Sequence, residues 1–252
     1  MKQIIKTSLS KLYYNLYYRY KKEIGNRIIL YHSVGSTLSH DTYGISISKK
    51  RFLEHIIFLK DNYKIIAIDD KYQNNLTENS ISITFDDGYK DNLYALELCE
   101  KYNIPFTLYI STGFIGKKDY LTKSEIEIFS KSNFCRLGAH SVSHPHLSQL
   151  SYSDQFNELN DSKNRLEDIV SYEINEMSYP HGSYNENTIK IIDKLGYNVI
   201  SSSHIGLNTI QNLDLKRLKR VEIISSDNLL KLEQKILGYY DYLALKENKG
   251  CM

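Results

Sequence analysis

Two short stretches of this sequence gather the side chains that do chemistry. The apolar run Ser80–Phe85 leads straight into Asp86-Asp87-Gly88-Tyr89. Neighbouring carboxylates closing a buried strand repel each other and lose solvent, so they need a proton or a cation to be tolerated. A divalent metal ion supplies that compensation, and Gly88 lets the chain turn so that both side chains serve one place. An ordinary turn capped by aspartate has the same three letters. Further on, Phe134–Ala139 ends in His140-Ser141-Val142-Ser143-His144-Pro145-His146. Neutral imidazole is the commonest metal ligand, and two of them four residues apart reach one ion from a tight loop or a helical turn. Pro145 biases His144 away from helical geometry and puts the pair on a loop or at its last turn. His146 suits packing or loop hydrogen bonding.

Such groups need a frame that brings strand ends together. Short β-branched runs predict strands at Arg27–His32, Lys64–Ile68, Ser80–Phe85, Phe106–Ser111, Phe134–Ala139, Met177–Pro180, Asn198–Ser202 and Leu218–Ile223. Amphipathic stretches between them predict helices at Lys49–Asn62, Asn92–Tyr102, Thr122–Ser130, Ser153–Val170, Glu186–Leu195 and Asp227–Leu245, with Ser48 and Ser153 as N-caps and Gly196 as a stop. Strand followed by helix, about seven times, is the pattern of a parallel sheet, doubly wound or closed into a barrel. In a barrel the reactive residues come from the C-terminal ends of strands. Residues 26–252 read as one catalytic domain. Residues 1–25 read as an appended basic amphipathic helix: six cations and no carboxylate precede Glu23, and Leu9, Leu12, Tyr13, Leu16, Tyr17 and Tyr20 share a face. That face either packs on the domain or contacts an anionic membrane through residues 1–22.

The whole chain of 252 residues carries 32 Lys+Arg against 30 Asp+Glu, a balance that excludes a nucleic-acid binder driven by bulk charge. No run approaches the roughly 18 apolar residues of a membrane span. The N-terminus lacks the uninterrupted apolar stretch of a secretory signal, which predicts a cytoplasmic protein, at most peripheral at the inner face of the membrane. Three widely spaced cysteines, Cys99, Cys135 and Cys251, predict unpaired thiols.

Thr84-Phe85-Asp86-Asp87-Gly88 followed by His140-Ser-Val-Ser-His144-Pro resembles the first two signature motifs of the polysaccharide deacetylases, the family-4 carbohydrate esterases with a NodB homology domain. The resemblance runs from about Ile29 to Ile224. It implies a distorted (β/α)7 barrel and removal of N-acetyl groups from amino sugars with one divalent metal ion, often zinc. It also implies Asp87, His140 and His144 as metal ligands and Asp86 as general base. Ser178-Tyr179-Pro180 stands where the family commonly has Arg-x-Pro, and that arginine pairs with the catalytic aspartate; Arg220 is the candidate replacement, or else a solvated charge at a strand end. The family's tryptophan in its fourth motif and its C-terminal Leu-x-x-His motif are missing. Leu30-Tyr31-His32-Ser33-Val34 instead is similar to the N-terminal Tyr-His of the circularly permuted poly-N-acetylglucosamine deacetylases, which implies His32 as general acid, with His181 and His204 as alternatives. With no tryptophan, sugar stacking falls to tyrosines beside the motifs, Tyr89, Tyr179 and Tyr184, with His181 also near the site. The expected substrate is a glycan or its precursor; a lipid-linked or nucleotide-linked amino sugar and an inert glycan-binding module are the other readings.

Overall fold

The computed structural model describes residues 12–18, 23–69 and 71–244. Its strands are β1 (Asn26–Tyr31), β2 (Ser33–Val34), β3 (Ser46–Ile47), β4 (Lys64–Ile65), β5 (Ser80–Phe85), β6 (Phe106–Ile110), β7 (Cys135–Ala139), β8 (Glu176–Ser178), β9 (Val199–Ser201) and β10 (Arg220–Glu222). Seven run parallel in the order β10-β1-β5-β6-β7-β8-β9, with β4 added to β5 off this path. The two ends of that order meet: Ser201 bridges Leu218, and Ile200 and Ser202 exchange backbone hydrogen bonds with Leu215 and Leu218. The sheet is therefore nearly closed into the expected α/β barrel.

Alternation along the strands sorts the residues into two populations. Ile29, Tyr31, Ile81, Ile83, Phe85, Leu108, Leu137, Met177 and Val221 belong to one buried apolar cluster that packs under the helices. Each such side chain contributes about 1.5–3 kcal/mol on burial. The opposite parity points into the lumen, which is polar in its upper part: Tyr109 Oη meets Ser201 Oγ at 2.9 Å from β6 to β9. A smaller apolar plug of Ile28, Ile66, Ile68, Tyr72, Leu76, Val199 and Leu218 fills the other end. Gly138 is required by this packing, because a Cβ there would stand 2.5 Å from the Tyr109 ring.

The helices are α1 (Lys49–Asn62), α2 (Asn92–Lys101), α3 (Lys123–Ser130), α4 (Tyr152–Val170), α5 (Glu186–Lys194) and α6 (Leu229–Ile236). Ser48 caps α1 as expected, by accepting from the Arg51 N–H. The cap of α4 is Ser151 and not Ser153, since Ser151 Oγ accepts from the Asp154 N–H at the three-residue spacing that capping demands. The last predicted helix is also shorter than Asp227–Leu245. Asp227 is buried before it, bonded to the Ile224 N–H and Lys235, and Gly238 at φ 84° ends it. The predicted strand Lys64–Ile68 pairs only over its first two residues.

Residues 12–18 are helical, and the single apolar stripe expected of them is split. Tyr14 stacks on Tyr239 at 3.9 Å and Tyr13 leans on Tyr242, whereas Leu12 and Leu16 are 56% and 69% exposed. Glu23–Gly25 are not helical, and the rest of the predicted N-terminal helix lies outside the described residues. No helix among the described residues is long and apolar enough to cross a membrane. Cys99 and Cys135 are buried free thiols; Cys251 lies outside the described residues.

Candidate active site

The C-terminal ends of β1, β5, β7, β8 and β10 converge on one cleft of about 1200 Å³. Asp86 follows β5 with the inward parity of Ser82 and Thr84, and His140 follows β7 with that of Gly138. Asp87 would face outward if the strand continued, but its φ of 77° turns it back. Among the described residues seven non-glycines have positive φ, and four of them, Asp87, Ser141, His144 and His181, stand here. Left-handed backbone costs of order 1–3 kcal/mol per residue and clusters where a constellation must be held.

Asp87, His140 and His144 bring one ligand atom each to within 4.8 Å of one another. Asp87 Oδ1 lies 3.5 Å from His140 Nε2 and 3.3 Å from His144 Nε2. The donor set fits a divalent cation for three reasons. The buried Asp87 Oδ1 has no hydrogen-bond partner. His140 Nδ1 is 2.8 Å from the Ser178 carbonyl, which only accepts, so the proton sits on Nδ1 and Nε2 keeps its lone pair. Burial pushes the His140 ring down to about 4, against the pull of Asp86, so the ring is neutral. The two Nε2 atoms also approach to 3.1 Å, where a shared proton or cation must lie between them. His144 is held on its loop by Glu158 of α4, whose carboxylate accepts from the Val142 and Ser143 N–H groups at 2.9 and 2.8 Å. His146 stands outside the cluster, stacked on His181.

Asp86 is paired with Arg220, as the sequence suggested. Arg220 Nη1 donates to Asp86 Oδ1 at 2.7 Å and Nη2 to Oδ2 at 2.8 Å, with the Asp86 and Arg220 side chains 5% and 1% exposed. Burial raises the Asp86 carboxyl, but the Arg220 guanidinium and the His140 ring outweigh it and hold the group far below the usual carboxylate range. Ser178, which the sequence reading took as a lost arginine, has a role of its own: its Oγ–H donates to Asp86 Oδ2 at 3.0 Å and its carbonyl anchors His140.

His32 follows β1 beside Asp86, whose N–H bonds the Tyr31 carbonyl. The His32 carbonyl is held by Asn92 Nδ2 at 2.7 Å, its buried Nδ1 lacks a hydrogen-bond partner, and Glu222 Oε1 lies 3.8 Å from it. His181 lines the cleft, but His204 does not; its Nε2 is taken by the Tyr184 hydroxyl. Tyr89 and Tyr179 are buried walls of the cleft, with hydroxyls spent on His40 and the Lys216 carbonyl. Tyr184 stacks behind Tyr179, outside the lining. The sequence reading missed Glu158, Glu222 and the role of Ser178. The inward parity they share with Asp86 and Arg220 was a usable signal for Ser178 and Glu222.

The family model described as Polysaccharide deacetylase matches residues 73–200. The Bacillus subtilis (strain 168) protein named "Putative polysaccharide deacetylase YxkH" is 31% identical over 180 residues, covering 68% of this chain and 61% of its own. The "Poly-beta-1,6-N-acetyl-D-glucosamine N-deacetylase" of Staphylococcus aureus (strain MRSA252) is 25% identical over 178 residues, 63% of this chain and again 61% of its own. The chain thus spans about three fifths of the length of these relatives. Among solved structures, the Streptococcus pyogenes deacetylase PplD in complex with acetate shares the fold at TM-score 0.75 and 24% identity, over 85% of this chain and 99% of that one.

Proposed function

The chain belongs to the polysaccharide deacetylases, and we propose that its cleft hydrolyses the N-acetyl amide of amino sugars in a glycan, with Asp87, His140 and His144 holding one divalent ion. Two imidazoles and a carboxylate, with positions left open, match zinc. The observation that carries the reading is the complete constellation: two imidazoles around an unsatisfied carboxylate oxygen, directly beside a second carboxylate fixed by Arg220 and Ser178.

When bound, the ion polarises the amide carbonyl and acidifies water beside it. The chain's own residues do the rest. Asp86, ionised and locked in one orientation, accepts the proton of the attacking water. Its pairing with Arg220 lowers its basicity, so its value lies in position and not in proton affinity. The Tyr89 N–H stands outside its ladder, in which Lys90 bonds Asp119 and Leu121 bonds Gly88, and is the donor we assign to the developing oxyanion. His32, oriented through its carbonyl by Asn92 and with Glu222 beside its ring, protonates the departing amine. Acetate and a free amino sugar result.

The test is mass spectrometry of N-acetylated glucosamine oligomers after incubation with zinc-loaded protein. Loss of 42 mass units per acetyl group removed, about the difference between acetamide and amine, is the expected result at wild-type sites and not in Asp86→Asn. No loss from any oligomer would overturn the reading.

A further inference from the structure

The basic N-terminal stretch takes no part in the proposed chemistry, and the described part of it has two faces. Residues 12–18 are helical. One face is spent on the domain: the Tyr14 ring stacks on Tyr239 at 3.9 Å, and Tyr13 leans on Tyr242 at 6.0 Å. The other face is turned to solvent. Leu12 and Leu16, four residues apart, are 56% and 69% exposed, and Ile24 just beyond the helix is 52% exposed. Aromatic contacts thus fix a short helix in an attitude that holds its leucines outward.

Charge is distributed with the same asymmetry. Six of the 32 Lys and Arg residues, Lys2, Lys6, Lys11, Arg19, Lys21 and Lys22, precede the first carboxylate, whereas the other 26 stand against all 30 Asp and Glu. Side chains therefore give +6 before Glu23 and −4 from there on. Carboxylates near the aromatic contacts do not cancel the excess: Asp241 pairs with Arg27 at 2.8 Å, Glu23 lies near Lys219, and Glu233 stands near Tyr239, three acids beside two further cations.

We propose that this end of the chain is a docking surface for an anionic lipid bilayer, with Leu12, Leu16 and Ile24 entering the apolar boundary and the six cations lying among the headgroups. Apolar side chains projecting beside a cluster of cations, with tyrosines at their base, are the composition of an interfacial helix. Two leucines on a short convex helix offer a folded protein no pocket to fill, and a bilayer needs none. The rest of the chain is net negative and is repelled by the same surface, so the docking is oriented. Tyr240 and Leu243, which flank Tyr242 in the chain, line the cleft, so the docking face and the cleft share one segment. A protein docked there holds its cleft beside the lipid surface.

The test is flotation of the full chain with vesicles of phosphatidylcholine alone or with about one third phosphatidylglycerol, across a salt series. Wild type should float with the anionic vesicles and not with the neutral ones, and its partitioning should fall roughly tenfold or more between about 0.05 M and 0.5 M salt. Leu12→Ser with Leu16→Ser should weaken partitioning about tenfold and leave the thermal midpoint unchanged, since both side chains already face water. Lys11→Gln with Lys21→Gln and Lys22→Gln should weaken it by more than about tenfold and flatten the salt dependence. Binding is read without any assay of activity, so the outcome does not depend on the deacetylase reading. Absence of flotation, equal flotation with neutral vesicles, or undiminished binding by the leucine variant would overturn the proposal. Self-association in lipid-free solution that the leucine substitutions abolish would assign the face to a second copy of the chain, and would overturn it too.

Discussion

Replacing Arg220 by methionine tests the electrostatic heart of the site. The guanidinium makes two bonds to Asp86, one each to Thr84 Oγ1 and Ser178 Oγ, and one from Nε to the Ser202 carbonyl at 2.8 Å. Methionine fills much of the same volume and makes none of them, so a buried carboxylate is left with one hydroxyl donor. Removing one partner of a buried pair costs about 3–5 kcal/mol. At about 2–4 °C per kcal/mol for a domain of this size, the thermal midpoint at pH 7 should fall by roughly 6–20 °C. Melts with a chelator present keep ion binding out of the comparison. The pH dependence has a definite sign. In the wild type the folded pKa of Asp86 lies below its unfolded value of about 3.9, so the stabilisation is complete above that value and is lost as pH falls through the folded pKa. Without Arg220, burial dominates and the folded pKa rises above the unfolded one. The carboxyl then stabilises at low pH and loses that contribution as pH rises through the raised pKa. The gap between variant and wild type should therefore narrow as pH drops from 7 toward 4, and adding Asp86→Asn should narrow it at pH 7. A fall of under about 2 °C, or a gap flat in pH, would refute the reasoning.

Elemental analysis of His140→Ala and His144→Ala should show loss of the divalent ion that the wild type retains; wild-type metal content would remove them from the ligand set. Asp86→Asn should lower turnover by roughly 10² to 10⁴ with metal content kept, whereas Asp87→Asn should lose both. His32→Ala should also cost about 10² to 10⁴ in turnover and change the high-pH limb of the rate profile without changing metal content; an unaltered rate would transfer the proton donation elsewhere. Gly138→Ala should destabilise by about 1–3 kcal/mol in denaturant unfolding, because its methyl meets the Tyr109 ring at 2.5 Å.

What could be read beforehand was whatever is local in the chain. Asp86-Asp87-Gly88 and the His140–His146 run are contiguous, and β5 and α1 have the very bounds that periodicity predicts. Arg220 was nameable because the resemblance implies an arginine beside Asp86 and position 178 lacks it, though the partner lies 134 residues away. Ser178 was misread, since a missing arginine looks like a loss until the distance to Asp86 is known. Glu158 escaped notice because it pins the histidine loop from a helix that reads as an ordinary solvated face. The loop from Gly35 to Ser46 has neither period, and its order comes from one aspartate folding backbone around itself. Ser151 stands just before α4 and Ser153 is its second residue, and only the spacing to Asp154 separates them as caps.

Ser178 joins two halves of the machinery that chemistry treats as separate. Its hydroxyl reaches Asp86 and its carbonyl reaches His140, so one residue sets where the proposed base stands and which way the proposed ligand ring faces. Neither can drift alone. A backbone shift there that improves one group displaces the other, and paired substitutions at 86 and 140 should depart from additivity by the 0.5–3 kcal/mol seen for residues sharing a network. A replacement at 178 that keeps the carbonyl in place, such as Ser178→Ala, separates the two influences, because only Asp86 then loses a donor. Divergence within such a site is thereby channelled: change enters most readily through loops such as Gly35–Ser46, which leave this shared residue undisturbed.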